Sequence, residues 1–153
     1  MMLKNKVALI TGVGSGMGEA MAKLFAAEGA NVVGADINQE AINRVINNIR
    51  ETDGAAIGVK ADVSQPNDIE IMIKSAVKEY GRLDILVNNA GIMDNFVPVA
   101  ELSEELWDRI MNVNVKGPFL ACREALKIML KQGRGVIINN ASVGGLFGTR
   151  GGA

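Results

Sequence analysis

The sequence has no histidine, one cysteine, three prolines and only 4% aromatic residues among its 153 positions. A single cysteine excludes an internal disulfide. That residue, Cys122, falls on the apolar face of a predicted helix and is expected to be a buried structural thiol. No apolar stretch approaches the ~20 residues that span a bilayer. The opening Met1-Met2-Leu3-Lys4-Asn5-Lys6 leads directly into a short apolar run. It lacks the longer apolar region and cleavage site of a signal peptide, so a soluble, cytoplasmic protein is expected. Charge of one sign is also lacking. The formal net charge is −1 and the charges are dispersed, which gives no electrostatic reason to bind nucleic acid or an anionic membrane. No metal site is expected.

Glycine is the residue in excess, at 18 of 153 or about 12% against a usual ~7%. Many glycines fall at the ends of predicted strands, where a chain must turn tightly or approach a ligand. The length fits one domain, residues 1–153, and suffices to hide roughly 70% of the unfolded surface.

Along the chain, short β-rich runs alternate with longer helical patterns. Strands are predicted at 7–11, 31–36, 55–60, 85–88 and 136–140. Helices are predicted at 17–28, with Ala20, Met21, Leu24 and Phe25 on one face, and at 39–53, with Ile42, Val45, Ile46 and Ile49. A third opens at Ser64-Gln65-Pro66, carries Ile69, Met72, Ile73, Ala76 and Val77, and stops at Gly81. A fourth starts behind an N-cap at Ser103 and runs to about Lys131, broken at Gly117-Pro118. Strands separated by helices predict an α/β fold. Its expected form is a doubly wound, Rossmann-type parallel sheet with helices on both faces, running as far as its fifth strand.

The turn between the first strand and first helix reads Thr11-Gly12-Val13-Gly14-Ser15-Gly16-Met17-Gly18. Gly12 allows the sharp turn, Gly16 removes a side chain where a pyrophosphate would approach, and Gly18 allows close packing of the helix. The helix N-terminus would offer N–H groups to the phosphates. The second strand ends in Asp36, 24 residues after Gly12. A carboxylate there accepts hydrogen bonds from ribose hydroxyls and repels a 2′-phosphate. Ser15 and Ile37, where a basic residue would welcome that phosphate, are uncharged. The expected cofactor is therefore NAD rather than NADP.

These motifs together resemble the short-chain dehydrogenase/reductase family across essentially the whole chain. Thr11–Gly18 fits its TGxxxGxG, Asn88-Asn89-Ala90-Gly91 its NNAG, and Asp62-Val63 the pair that contacts adenine. Asn114, a poor helix former in a predicted helix, aligns with the family's helix asparagine, and Ser142 with its catalytic serine. The resemblance implies a hydride-transferring oxidoreductase for a small alcohol or carbonyl substrate. It implies coenzyme contacts at Gly12, Ser15, Gly16, Met17, Gly18, Asp36, Ile37, Asp62, Val63, Asn88, Ala90, Gly91 and Val113. It also implies a substrate contact at Ser142, a water-ordering role in a proton relay for Asn114, and a homodimer or homotetramer. The helix from about Pro118 to Lys131, with Phe119, Leu120, Ala125, Leu126 and Met129, is the family's common pairing element, although core packing explains the same residues.

One departure stands out. The family's YxxxK tyrosine and lysine are absent from these residues, which end at Ala153, eleven positions after Ser142. The only tyrosine, Tyr80, is followed by Gly81-Arg82-Leu83-Asp84 and reads as structural. A general acid/base contributes ~10²–10⁴ in rate, so the 153 residues alone are expected to be nearly inactive. They are expected to be the N-terminal part of an enzyme of ordinary family length; the alternative is a short, non-catalytic NAD-binding module. The fifth strand would then be an apolar sheet edge.

Overall fold

The computed structural model describes residues 1–142 and residue 144. Five strands, β1 (Val7–Thr11), β2 (Asn31–Asp36), β3 (Ala56–Lys60), β4 (Ile85–Asn88) and β5 (Val136–Asn139), form one sheet in the order β3-β2-β1-β4-β5. Every pairing is parallel. Five α-helices connect them: α1 (Gly16–Ala27), α2 (Gln39–Arg50), α3 (Pro66–Tyr80), α4 (Glu104–Met111) and α5 (Gly117–Gln132). The chain starts at the middle strand, builds outward to β3, then returns to place β4 on the other side of β1. This is the expected doubly wound sheet.

The continuous apolar character of β1 and β2 follows from burial on both faces. Leu9, Val33 and Leu86 pack with α3 and α5 on one face; Ala8, Ile10, Val32 and Val87 pack with α1 and α2 on the other. The predicted stripes of α2 and α3 are buried as expected, except that Val77 is only partly so. Helix α1 differs. Its buried stripe is Gly18, Ala22 and Ala26, whereas Leu24 is exposed. Small residues at i, i+4 and i+8 let this helix sit close to the sheet. Its larger side chains, Leu24 and Phe25, lean instead into an apolar groove with Ile85, Val136 and Ile138.

Several boundaries shift. Helix α2 ends at Arg50 rather than Asp53, because the chain turns through a left-handed Asp53. The predicted break at Gly117-Pro118 lies one turn earlier, as a π-helical turn at Asn112–Lys116. Pro118 has no N–H, so the carbonyl of Asn114 loses its α-helical donor and the ladder widens upstream. Ser103 caps α4 by accepting from Leu106 N at 3.2 Å, as its sequence position predicts. Cys122 is half-buried rather than fully buried, because it sits at the β4–β5 edge facing Asn88 and Asn139. Strand β5 is the sheet edge, with Val136 and Ile138 exposed.

Candidate functional site

The strand order reverses between β1 and β4, and their carboxyl ends open with those of β2 and β3 on one cleft of about 440 Å³. Such switch points are where open α/β sheets bind ligands. The glycine turn forms its floor with Gly12, Ser15, Gly16 and Met17. Gly12 adopts φ +71°, and a Cβ there would meet Ala90 Cα at 2.9 Å. A Cβ on Gly18 would lie 1.9 Å from the carbonyl oxygen of Gly12. Gly18 is therefore buried behind the turn and holds it against α1, rather than facing the cleft. Gly16 behaves oppositely: a Cβ there would meet nothing within 4 Å. The backbone is open at that point, beside the N–H groups of α1's first turn that have no intrahelical acceptor.

Asp36 and Ile37 form the adjacent lip. The Asp36 carboxylate accepts from Gly14 N at 2.8 Å through Oδ2 and from Asn38 N at 3.0 Å through Oδ1. Each oxygen retains a further lone-pair direction for a ligand hydroxyl. Gly14 is held from its other side as well. Arg44 of α2 donates to its carbonyl at 2.8 Å and makes two 2.8 Å bonds to Glu19 of α1. Arg44, followed by Lys23, holds the Glu19 carboxyl down at about 2. This cation beside the glycine turn is engaged by a carboxylate, which leaves Asp36 as the charge presented at the lip.

Asp62 and Val63 line the next wall. Asp62 Oδ1 accepts from Ser64 N and its own N–H donates to Asp68, both at 2.9 Å, which ties the loop after β3 to the first turn of α3. Ala90, Gly91 and Val113 complete the expected lining. Asn88 does not join it. Its side chain is buried on the α5 face, donating to Asn139 Oδ1 at 2.8 Å and approaching Cys122 Sγ at 3.4 Å. Asn89 lines the cleft instead, because successive residues at a strand end point to opposite faces. Thr11 Oγ1 accepts the N–H groups of both Asn89 and Ala90 at 3.0 Å, which fixes this segment to β1.

Ala35, Ala61, Ser64, Ile92 and Arg109 also line the cleft, without having been singled out in the sequence. The first four adjoin residues that were. Arg109 comes from α4, and no local pattern ties it to this site.

Asn114 lies in the π-helical turn and is exposed. Its amide accepts from Ile92 N at 2.9 Å and donates to Ile92 O at 2.8 Å, clamping the loop that follows β4. Ser142 is exposed three residues past β5, with Oγ accepting from Gly144 N at 3.1 Å. Tyr80 is the last residue of α3 and does not line the cleft, and burial raises its pKa. Among the described residues no cluster of three or more potential ligands could hold a metal ion, and no helix is long and apolar enough to cross a membrane.

A parallel sheet of this order with helices on both faces defines a doubly wound, Rossmann-like α/β protein. The particular family follows from comparison with known proteins. The short chain dehydrogenase family model matches residues 6–153, and the chain belongs to that family. It is 41% identical over 151 residues to 3beta-hydroxysteroid dehydrogenase 2 of Eggerthella lenta, covering 98% of this chain and 58% of that relative. It is 41% identical over 144 residues to cyclohexanol dehydrogenase of an Acinetobacter species, covering 94% and 57%. Among solved structures, NAD+-bound xylitol dehydrogenase superposes with a TM-score of 0.94 at 31% identity, covering 99% of this chain and 58% of that one. Levodione reductase gives a TM-score of 0.95 at 35% identity, covering 99% and 59%. The chain thus spans somewhat under two thirds of the length of these relatives.

Proposed function

We propose that these residues are the coenzyme-binding part of a single-domain, NAD-dependent oxidoreductase that interconverts a secondary alcohol and a ketone. The observation that carries this reading is Asp36, an oriented carboxylate on the lip of a cleft whose floor is bare backbone at Gly16. The residues fit NAD. The α1 N–H groups would receive its pyrophosphate, Asp36 the adenosine ribose, and Asp62, Val63 and Val113 the adenine. Bound NAD would supply the hydride acceptor.

The chain's own residues do the rest. Asp36 admits ribose hydroxyls and repels a 2′-phosphate. Asn114 holds the Ile92 loop over the site and would order a water for proton transfer. Ser142 would donate a hydrogen bond to the substrate oxygen, stabilising the charge that develops there. The names of the relatives support a small alcohol or ketone substrate. The exposed Phe119, Leu126 and Leu130 of α5 support pairing of full-length copies into a dimer or tetramer, whereas Leu120, Ala125 and Met129 of that helix are buried in this chain's own core.

The test is oxidation by the full-length protein of cyclohexanol, xylitol and a 3β-hydroxysteroid, followed at 340 nm with NAD or NADP. Turnover of at least one alcohol with a clear preference for NAD is expected, and Ser142→Ala should reduce kcat by ~10²-fold. Preference for NADP, or no turnover of any alcohol tried, would count against the reading.

A further inference from the structure

Asn140 stands immediately past β5, two residues before Ser142, and its amide is part of a chain that reaches the glycine turn. Asn89 Nδ2 donates to Thr11 O at 3.0 Å and to Gly12 O at 3.4 Å. Both partners are carbonyls, so this amide has one possible orientation: nitrogen toward the turn and oxygen toward β5. The Asn89 oxygen therefore requires a donor, and Asn140 Nδ2 supplies it at 3.0 Å. The same nitrogen approaches Met17 Sδ at 3.9 Å. The Asn89 amide packs against bare glycine backbone, since Cβ atoms built on Gly12 and Gly18 would fall 3.1 Å and 2.7 Å from its nitrogen.

The opposite face of the same strand pair carries a second amide link. Asn88 and Asn139 are register partners, and Asn88 donates to Asn139 at 2.8 Å beside Cys122 of α5. The main chain joins the two, with Asn140 N donating to Asn88 O at 2.9 Å. The carboxyl end of β5 is thus fastened to β4 by side chains on both faces. Only the Asn140 link continues to Gly12.

We propose that Asn140 is a positioning residue: through Asn89 it fixes the serine-bearing end of β5 relative to the glycine turn that holds the coenzyme. The inference rests on the coenzyme reading above. Its physical content is a geometric one. Ser142 lies outside the sheet ladder, so its placement depends on what anchors the residues before it, and small displacements of reacting groups are costly in rate. Without the Asn140 donor, the coenzyme turn and the serine segment would each stay folded but lose their mutual alignment.

The test uses the full-length protein and Asn140→Leu, which keeps the size and removes the donor. Asn140→Asp is the second variant; it keeps the shape but turns an acceptor toward Asn89. Hydrogen exchange read by mass spectrometry follows two segments, 12–18 and 136–142, with and without NADH. In the wild type, NADH should slow exchange at least fivefold in both. In either variant only segment 12–18 should still be slowed. The NADH Kd should stay within about threefold, while kcat on the best alcohol substrate should fall at least tenfold. A variant in which NADH still protects segment 136–142, or in which kcat is retained, overturns the proposal. So does a wild type in which NADH protects segment 12–18 alone. A wild type that binds no NADH overturns the coenzyme reading as well, and the wild-type control alone reveals that case.

Discussion

Asp36 Oδ2 accepts a 2.8 Å hydrogen bond from the backbone N–H of Gly14. The acid that ends β2 is thereby tied to the turn that follows β1, and a single side chain serves the turn's geometry and the cleft's charge. A Cβ on Gly14 would approach that same oxygen at 2.9 Å. Asp36→Ala should therefore do two things. It should weaken NADH binding, because the turn loses a charged acceptor, and it should narrow the preference for NAD over NADP by tenfold or more. Titration of both reduced coenzymes by fluorescence measures this, and an unchanged ratio would refute the assigned role.

Two glycines of the turn should respond in opposite ways. Gly18→Ala places a methyl 1.9 Å from Gly12 O, which is backbone and cannot swing aside. A loss of ~3 kcal/mol or more is expected, as for severe overpacking, seen as a lowered urea midpoint. Gly16→Ala meets no atom and should cost only ~1–2 kcal/mol for its left-handed φ of +53°. It should nevertheless weaken NADH binding at least tenfold, since its methyl would occupy the cleft. Retained NADH affinity in this variant would place the coenzyme elsewhere.

Thr11→Val tests the anchoring of the Asn89 segment. The hydroxyl accepts two N–H groups, from Asn89 and Ala90. Valine fills the same volume but leaves both donors unpaired, at a cost of ~1–3 kcal/mol each. Thermal and urea denaturation should show a loss of ~2–6 kcal/mol on that scale, with Thr11→Ser restoring most of it.

The Glu19 ion pair makes a pH prediction. The folded carboxyl is lowered from 4.5 to about 2, chiefly by its hydrogen bonds to Arg44 and then Lys23. A lowered folded pKa means that the unfolded state takes up protons first as pH falls. The stabilisation is therefore complete above about pH 4.5 and fades as pH drops toward about 2. Glu19→Gln should be less stable than wild type at pH 7, with the difference shrinking between pH 4.5 and 2. Urea midpoints measured across that range check it, and a gap that is constant with pH would contradict the assigned cause.

Much of this molecule was legible in local pattern. The alternation of strands and helices came from hydrophobic periodicity, which is a short-range property. The places of Gly12 in the turn and of Asp36 at the lip were legible because their spacing matches one turn and one βαβ unit. Other features were not. Asn88 and Asn89 are chemically identical neighbours, and which one faces the cleft depends on the pleat at the end of β4. Leu24 read as a core residue but is exposed, because α1 turns its small residues Gly18, Ala22 and Ala26 to the sheet, and Phe119, which both pairing and core packing could explain, is exposed as well. Arg109 joins the cleft only because α4 folds back across the ends of strands distant in sequence.

By itself the sequence determined the order of elements, the glycine turn, the charge at the lip and the family. Those depend on residues within a few turns of one another, where backbone sterics and side-chain period act directly. The tertiary structure alone decided how the turn is held: Gly14 between Asp36 and Arg44, and Asn89 between Gly12 and Asn140. Hydrogen bonds reaching across 22 to 77 positions of the chain have no local signature, because their partners meet only once the parallel sheet is assembled. The acid after the second strand is thus read from sequence as a coenzyme specificity signal, and from structure also as a support of the turn it faces.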